Sequence, residues 1–111
     1  MSEHTVKSFD EQLEALSTMV SRMGGLAEAQ VAAAIDAMAR RDSEAAERAV
    51  AGDLRVDEIQ QAIEARALKL LALRQPMAVD LRETLAAIKI AAELERIRDL
   101  SNNIAKRAMV F

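Results

Sequence analysis

The stretch Glu93-Leu94-Glu95-Arg96-Ile97-Arg98-Asp99-Leu100-Ser101-Asn102-Asn103-Ile104-Ala105-Lys106-Arg107 decides how the rest of the chain is read. From Met77 to Phe111 there is neither Pro nor Gly, and Leu, Ala, Glu, Lys and Arg dominate. These residues lose little freedom on entering a helix, so the region is expected to form one long helix. At about 100° per residue, Leu81, Leu85, Ile88 and Ala92 form an apolar stripe, and Glu95, Asp99 and Asn103 come next on the same line. The stripe turns acidic. Glu95 and Asp99 are like charges one turn apart, which costs a few tenths of a kcal/mol on an exposed helix and more where solvent is thin. A cation is therefore expected between them. A second apolar line, Ile90, Leu94, Ile97, Ile104 and Ala108, runs on the opposite side. A helix with two apolar faces lies between neighbours, or between a neighbour and a partner surface.

Upstream of this helix, Gln75-Pro76 reads as a turn. Proline has no N–H to donate and a fixed φ, so it ends the helix before it and suits the first position of the helix after it. Before the turn, Ala49, Val56, Ile63 and Leu70 repeat every seven residues, with Ile59, Ala67 and Leu73 widening the stripe. That register runs through Gly52-Asp53, so a single helix is expected from about 43 to 74. Arg40-Arg41-Asp42-Ser43 is the other turn. Cations close one helix there, and Asp42 or Ser43 caps the next by accepting a hydrogen bond from its first turn. Further back, Val6, Phe9, Leu13, Leu16, Val20, Met23 and Ala27 keep a three-four alternation, continued by Val31, Ala34, Ile35 and Met38. The first helix is expected over 5–40, passing through Gly24-Gly25, where the glycines allow a close approach or a slight bend. Gln30 falls on this seam and reads as a core amide. Three long helices (5–40, 43–74 and 76–108) joined by two short connections make an all-α, antiparallel, up-down-up three-helix bundle.

A length of 111 residues suits one domain spanning 1–111, with a modest core. Cysteine is absent, which excludes disulfides, thiolate metal sites and thiol nucleophiles. A bound metal would have to be held by oxygens or by the single His4. A net charge of -3 and only two aromatics, Phe9 and Phe111, argue against nucleic acid as a ligand. The first residues lack the apolar stretch of a signal peptide, and no run reaches the roughly 18 apolar residues of a membrane span. A cytoplasmic location is expected, with any membrane association indirect, through partners.

Catalytic constellations are missing: no Cys, no central His, no Gly-rich phosphate loop, no Ser with a base at readable spacing. An enzyme is not expected. What remains is the acidic row. Oxygen donors at i, i+4 and i+8 stand about 6 Å apart along a helix and suit metal ions if a second helix adds oxygens. Asp53 and Asp57 also lie one turn apart, and on their own read as a solvated face. Around the last helix from the acidic row run Arg82, Lys89 and Arg96, one per heptad, a candidate partner surface. In the alternative reading, the arginines neutralise the acids through i,i+3 pairs, Arg96 with Asp99 and Glu95 with Arg98, each contributing about 0.2–0.5 kcal/mol.

The segment Arg74-Gln75-Pro76-Met77-Ala78-Val79-Asp80-Leu81-Arg82, then Lys89-Ile90, Leu94 through Asp99, and Asn103 through Arg107, resembles the third helix of a repeat in the PhoU family, regulators of bacterial phosphate transport. Phe9 through Leu13, Met23 through Leu26, and Asp53 with Asp57 fit the same pattern. The resemblance implies a three-helix domain that usually occurs twice in tandem, so the chain is either the N-terminal half of a longer protein, the reading adopted, or a single-domain member. It further implies metal clusters held by an E/D-xxx-D motif, which Glu95 and Asp99 match. Asn103 matches the position that follows, and Asp53 and Asp57 would contribute from the neighbouring helix. The ions implied are divalent or ferric.

The same resemblance implies coupling of a phosphate ABC transporter ATPase to a sensor histidine kinase in phosphate-starvation signalling, with the chain acting as a negative regulator. A homodimer is left open. The alternative is a helical metal-binding or storage module without a signalling partner. Two departures stand out. The family commonly shows Gly-Asp-His where this chain has Arg98-Asp99-Leu100. The change removes an imidazole and adds a charge that would compete with a cation.

Overall fold

Burial in this all-α protein follows three lines of three-four spacing, one on each leg of a bundle. The computed structural model describes residues 3–72 and 78–109, with side chains over 10–52, 55–72 and 81–109. The helices are α1 (Glu3–Arg40), α2 (Ser43–Ala51), α3 (Asp53–Ala72) and α4 (Ala78–Ala108). Together, α2 and α3 form the middle leg of an up-down-up rod 61 Å long and 17 Å by 16 Å across.

On α1 the buried line is Leu13, Leu16, Met23, Ala27, Gln30, Ala34 and Ala37. It passes straight through Gly24-Gly25, where the helix is unbroken. The glycines serve no close approach, since a Cβ at either position would meet nothing within 4 Å. Beyond Gln30 the line keeps Ala34, as expected, and then departs: Ala37 is buried, whereas Ile35 and Met38 are exposed. Val6 and Phe9 have side chains outside the described residues.

The middle leg keeps the expected heptad, with Ala49, Val56, Ile63, Ala67 and Leu70 all buried. It is not one helix, however. Gly52 interrupts it, with φ -68 and ψ -13, its N–H donating to the Arg48 carbonyl at 3.1 Å and its own carbonyl accepting from the Arg55 N–H at 3.3 Å. An i to i+3 bond at the break tightens the turn, and glycine's weak helix propensity lets it form there. The register of burial survives from Ala49 to Val56, and that continuity hides the break in the sequence pattern. Residues 73–77, with the expected turn at Pro76, lie outside the described residues.

Between α1 and α2 the chain turns through Arg41, whose φ of 54 places it in the left-handed region. The Asp42 N–H donates to the Ala37 carbonyl at 2.9 Å and the Arg41 N–H to Met38 at 3.2 Å. These two bonds close α1 with a Schellman motif. Asp42 then caps α2, its Oδ1 accepting from the Ala45 N–H at 3.1 Å.

The buried line of α4 is not the stripe of large apolar residues. It runs through Thr84, Ala87, Ala91, Ser101, Ala105 and Ala108, with half-buried Leu94 and Arg98 completing the three-four spacing. Leu81, Leu85 and Ala92, expected inside, are exposed, Leu85 by 50%. Small side chains let helices approach closely, so this line carries the packing although it is weakly hydrophobic.

Two apolar clusters result. Leu13, Leu16, Met23, Val56, Ile63, Ala67, Leu70, Ala87 and Ala91 form one. Fully burying each large member is worth about 1.5–3 kcal/mol. Ala34, Ala37, Ala45, Ala46, Ala49, Ala105 and Ala108 form the other, at the α1–α2 end. Between them lies a polar layer drawn from all three legs: Gln30 on α1, Asp57 and Gln60 on α3, and Glu95, Arg98, Ser101 and Asn102 on α4.

Candidate functional site

Because Arg98 lies on the buried line of α4, its stem runs through the bundle while its guanidinium reaches the α3–α4 margin. Its side chain is only 14% exposed. Three carboxylates surround the head. Nη2 donates to Asp99 Oδ1 at 3.1 Å and to Glu95 Oε1 at 3.5 Å, and Nη1 stands 3.6 Å from Asp57 Oδ1 across the helix pair. The cation demanded by the Glu95–Asp99 spacing is thus supplied by the residue next to Asp99.

Amides hold the remaining oxygens. Buried Gln60 Nε2 makes a short hydrogen bond to Glu95 Oε2 and a longer one, 3.3 Å, to Glu64 Oε1. Gln61 Nε2 donates to Asp57 Oδ2 at 3.2 Å. Of the six oxygens on Asp57, Glu95 and Asp99, five therefore face N–H donors. Toward the alanine cluster, Gln30 Nε2 donates to Asn102 Oδ1 at 3.0 Å, joining α1 to α4, and buried Ser101 returns its hydroxyl to the Ile97 carbonyl at 2.9 Å.

The sequence-derived candidates divide accordingly. Glu95, Asp99 and Asp57 come together, around a guanidinium. Asn103 is exposed, while its neighbour Asn102 turns inward. Asp53 begins α3, and its side chain lies outside the described residues. Arg82, Lys89 and Arg96 are all exposed. Arg96 pairs with Glu93 at 3.6 Å rather than with Asp99, whereas the expected pair of Glu95 with Arg98 is present. Gln60, Asn102 and the inward placement of Arg98 escape a reading based on large apolar residues. The interval 84-87-91-94-98-101-105-108 is the signal that reveals the inward placement of Arg98.

The implied metal can be tested against these donors. A divalent ion on Asp57 Oδ1, Glu95 Oε1 and Asp99 Oδ1 would share its ligands with a guanidinium at 3.1–3.6 Å, positive charge against positive charge. Among the described residues no group of three or more Asp, Glu or His gathers as metal ligands. With Arg98 in place the site does not fit a divalent ion.

Comparison with known proteins bears on the bundle as a whole. The PhoU domain family model matches residues 20–108, well over half of the chain. The chain belongs to the PhoU family. It is 56% identical over all 111 residues to a phosphate-specific transport system accessory protein PhoU homolog of Caulobacter vibrioides (strain NA1000 / CB15N), covering 48% of that protein. A homolog from Xylella fastidiosa (strain Temecula1 / ATCC 700964) is 47% identical over 97% of the chain and 45% of its own length. The PhoU protein of Edwardsiella tarda is 42% identical over 98% of the chain and 45% of its own length. The chain therefore spans a little under half the length of these curated relatives. No solved structure matches it. The relatives are accessory proteins of a phosphate transport system, and the all-α bundle expected from the resemblance to PhoU is the one observed. Among the described residues, no helix is long and apolar enough to cross a membrane.

Proposed function

We propose that this PhoU domain regulates phosphate uptake and phosphate-starvation signalling through helix-surface contacts with a phosphate ABC transporter ATPase and a sensor histidine kinase. The role is non-catalytic and cytoplasmic, and the domain is the N-terminal one of two repeats. The observation that carries this reading is the surface of α4. Leu81, Leu85, Ile90, Ile97 and Leu100 are all exposed there, Leu100 by 62%, and Arg82, Lys89 and Arg96 are exposed on the same helix. Single exposed hydrophobes are ordinary, but five on one helix, accompanied by arginines, have the composition of a contact surface. The names of the relatives supply the transport system as the setting.

The test is capture of the transporter ATPase and of the kinase's cytoplasmic region by a full-length protein carrying this domain. Binding is expected, weakened by Leu85→Asp and Leu100→Asp and by reversing Arg82 and Lys89 to Glu. Absence of binding to both partners would overturn the proposal.

A further inference from the structure

Within the polar layer, the Glu95-xxx-Asp99 pair has the spacing expected of a metal-holding motif, yet its oxygens are already committed. We propose that Arg98 is a resident cation in this domain: its guanidinium supplies positive charge among the carboxylates that a metal ion would otherwise use, and its presence is what excludes divalent metal from Asp57, Glu95 and Asp99. Three observations converge. The guanidinium lies within 3.1–3.6 Å of one oxygen from each carboxylate. Its side chain is 14% exposed and rooted on the buried line of α4, so it does not simply swing into solvent when an ion arrives. The second oxygens of Glu95 and Asp57 are already occupied by the Gln60 and Gln61 amides.

Charge decides the outcome. A guanidinium spreads one positive charge over several N–H donors in a plane and bridges carboxylates on two helices without any ion uptake. A divalent ion would have to displace it, breaking the cross-helix link to Asp57, or sit against it at a repulsive distance. The polar layer of this domain is therefore independent of metal supply, which separates α3–α4 docking from metal availability. This inference stands on the bundle geometry alone and does not depend on the proposed signalling partners.

Mn2+ is a suitable probe, because an all-oxygen site favours hard ions. Calorimetric titration and electron paramagnetic resonance of the 111-residue chain are expected to show no Mn2+ held at these residues, with a melting temperature equal in chelator and in Mn2+. Arg98→Ala, and Arg98→Gln as a neutral variant of greater length, are expected to bind Mn2+ at least ~10-fold more tightly than the parent, since a positive charge a few Å away is removed. Their melting temperatures should rise on adding Mn2+, and adding Asp99→Ala should abolish both effects. Parent protein that holds Mn2+ and loses it on Glu95→Ala or Asp99→Ala would overturn the proposal. Folded Arg98 variants that bind no more tightly than the parent would overturn it equally. If neither variant folds, the parent titration still decides, since metal held by Glu95 and Asp99 contradicts a resident guanidinium and its absence supports one.

Discussion

Gln30 on α1 and Asn102 on α4 are joined side chain to side chain, Nε2 to Oδ1 at 3.0 Å, 72 residues apart in the chain. The pair sits at the boundary of the polar layer with the alanine cluster, where it fixes the register of the two parallel legs. Removing one partner exposes the other to a partly buried site without this bond, which costs about 1–2 kcal/mol. Asn102→Ala is expected to lower the urea midpoint accordingly. Gln30→Leu with Asn102→Leu should cost less than the sum of the single changes. An unchanged midpoint in Asn102→Ala would mean that the amides do not meet in solution.

Gly24 and Gly25 sit inside an unbroken helix, neither has positive φ, and a Cβ at either meets open space. Each glycine costs helix stability without a compensating contact. Gly24→Ala and Gly25→Ala are each expected to stabilise the domain by about 0.5–1 kcal/mol in thermal or urea unfolding. Destabilisation by either would show that the positions need conformations the helix does not display.

Arg41 occupies the left-handed position of the α1 Schellman motif, with φ 54. An L side chain with a Cβ is disfavoured there relative to glycine. Arg41→Gly is expected to raise stability by about 0.5–1 kcal/mol, and Arg41→Val to lower it, since a β-branched residue suits that region least. The order Gly, Arg, Val in melting temperature checks this.

The Ala45 N–H holds the Asp42 carboxyl below its ordinary value of 3.8, with partial burial opposing the shift and the Arg40 and Arg48 charges adding to it. A lowered folded-state value means that the ionised cap stabilises the fold above the ordinary Asp range. That contribution is lost as pH falls from about 3.8 through the lowered value. Asp42→Asn keeps an acceptor but cannot titrate. It is expected to flatten the acid limb of stability against pH, leaving the neutral plateau nearly unchanged. An acid limb identical to that of the parent would contradict this.

The course of the chain was largely readable from spacing, and the inward faces were less so. Leu13, Leu16, Met23, Val56, Ile63 and Leu70 are large, apolar and regularly spaced, and they are buried as their pattern implies. On α4 the pattern misleads, because Leu81 and Leu85 outshine Thr84, Ala87 and Ala91 on any hydrophobic scale, yet the smaller residues face the core. Close helix packing selects for size as well as polarity. The same inversion conceals Arg98. Its i,i+3 pairing with Glu95 is visible in sequence, but its crossing to Asp57 depends on a seam made of residues with little hydrophobic signal. Gly52 escaped for the opposite reason, since the heptad continues across the break that it makes.

The central claim is that one guanidinium organises carboxylates from two helices. The Arg98–Glu95 pair would exist on an isolated helix, so the cross-helix pair is the informative one. A double-mutant cycle with Arg98→Ala and Asp57→Ala, read by urea unfolding, tests it most directly. Because Asp57 is 39% exposed, a favourable coupling of about 0.5–1 kcal/mol is expected at low salt, diminishing as salt is added. Strictly additive single and double variants at low salt would contradict the account.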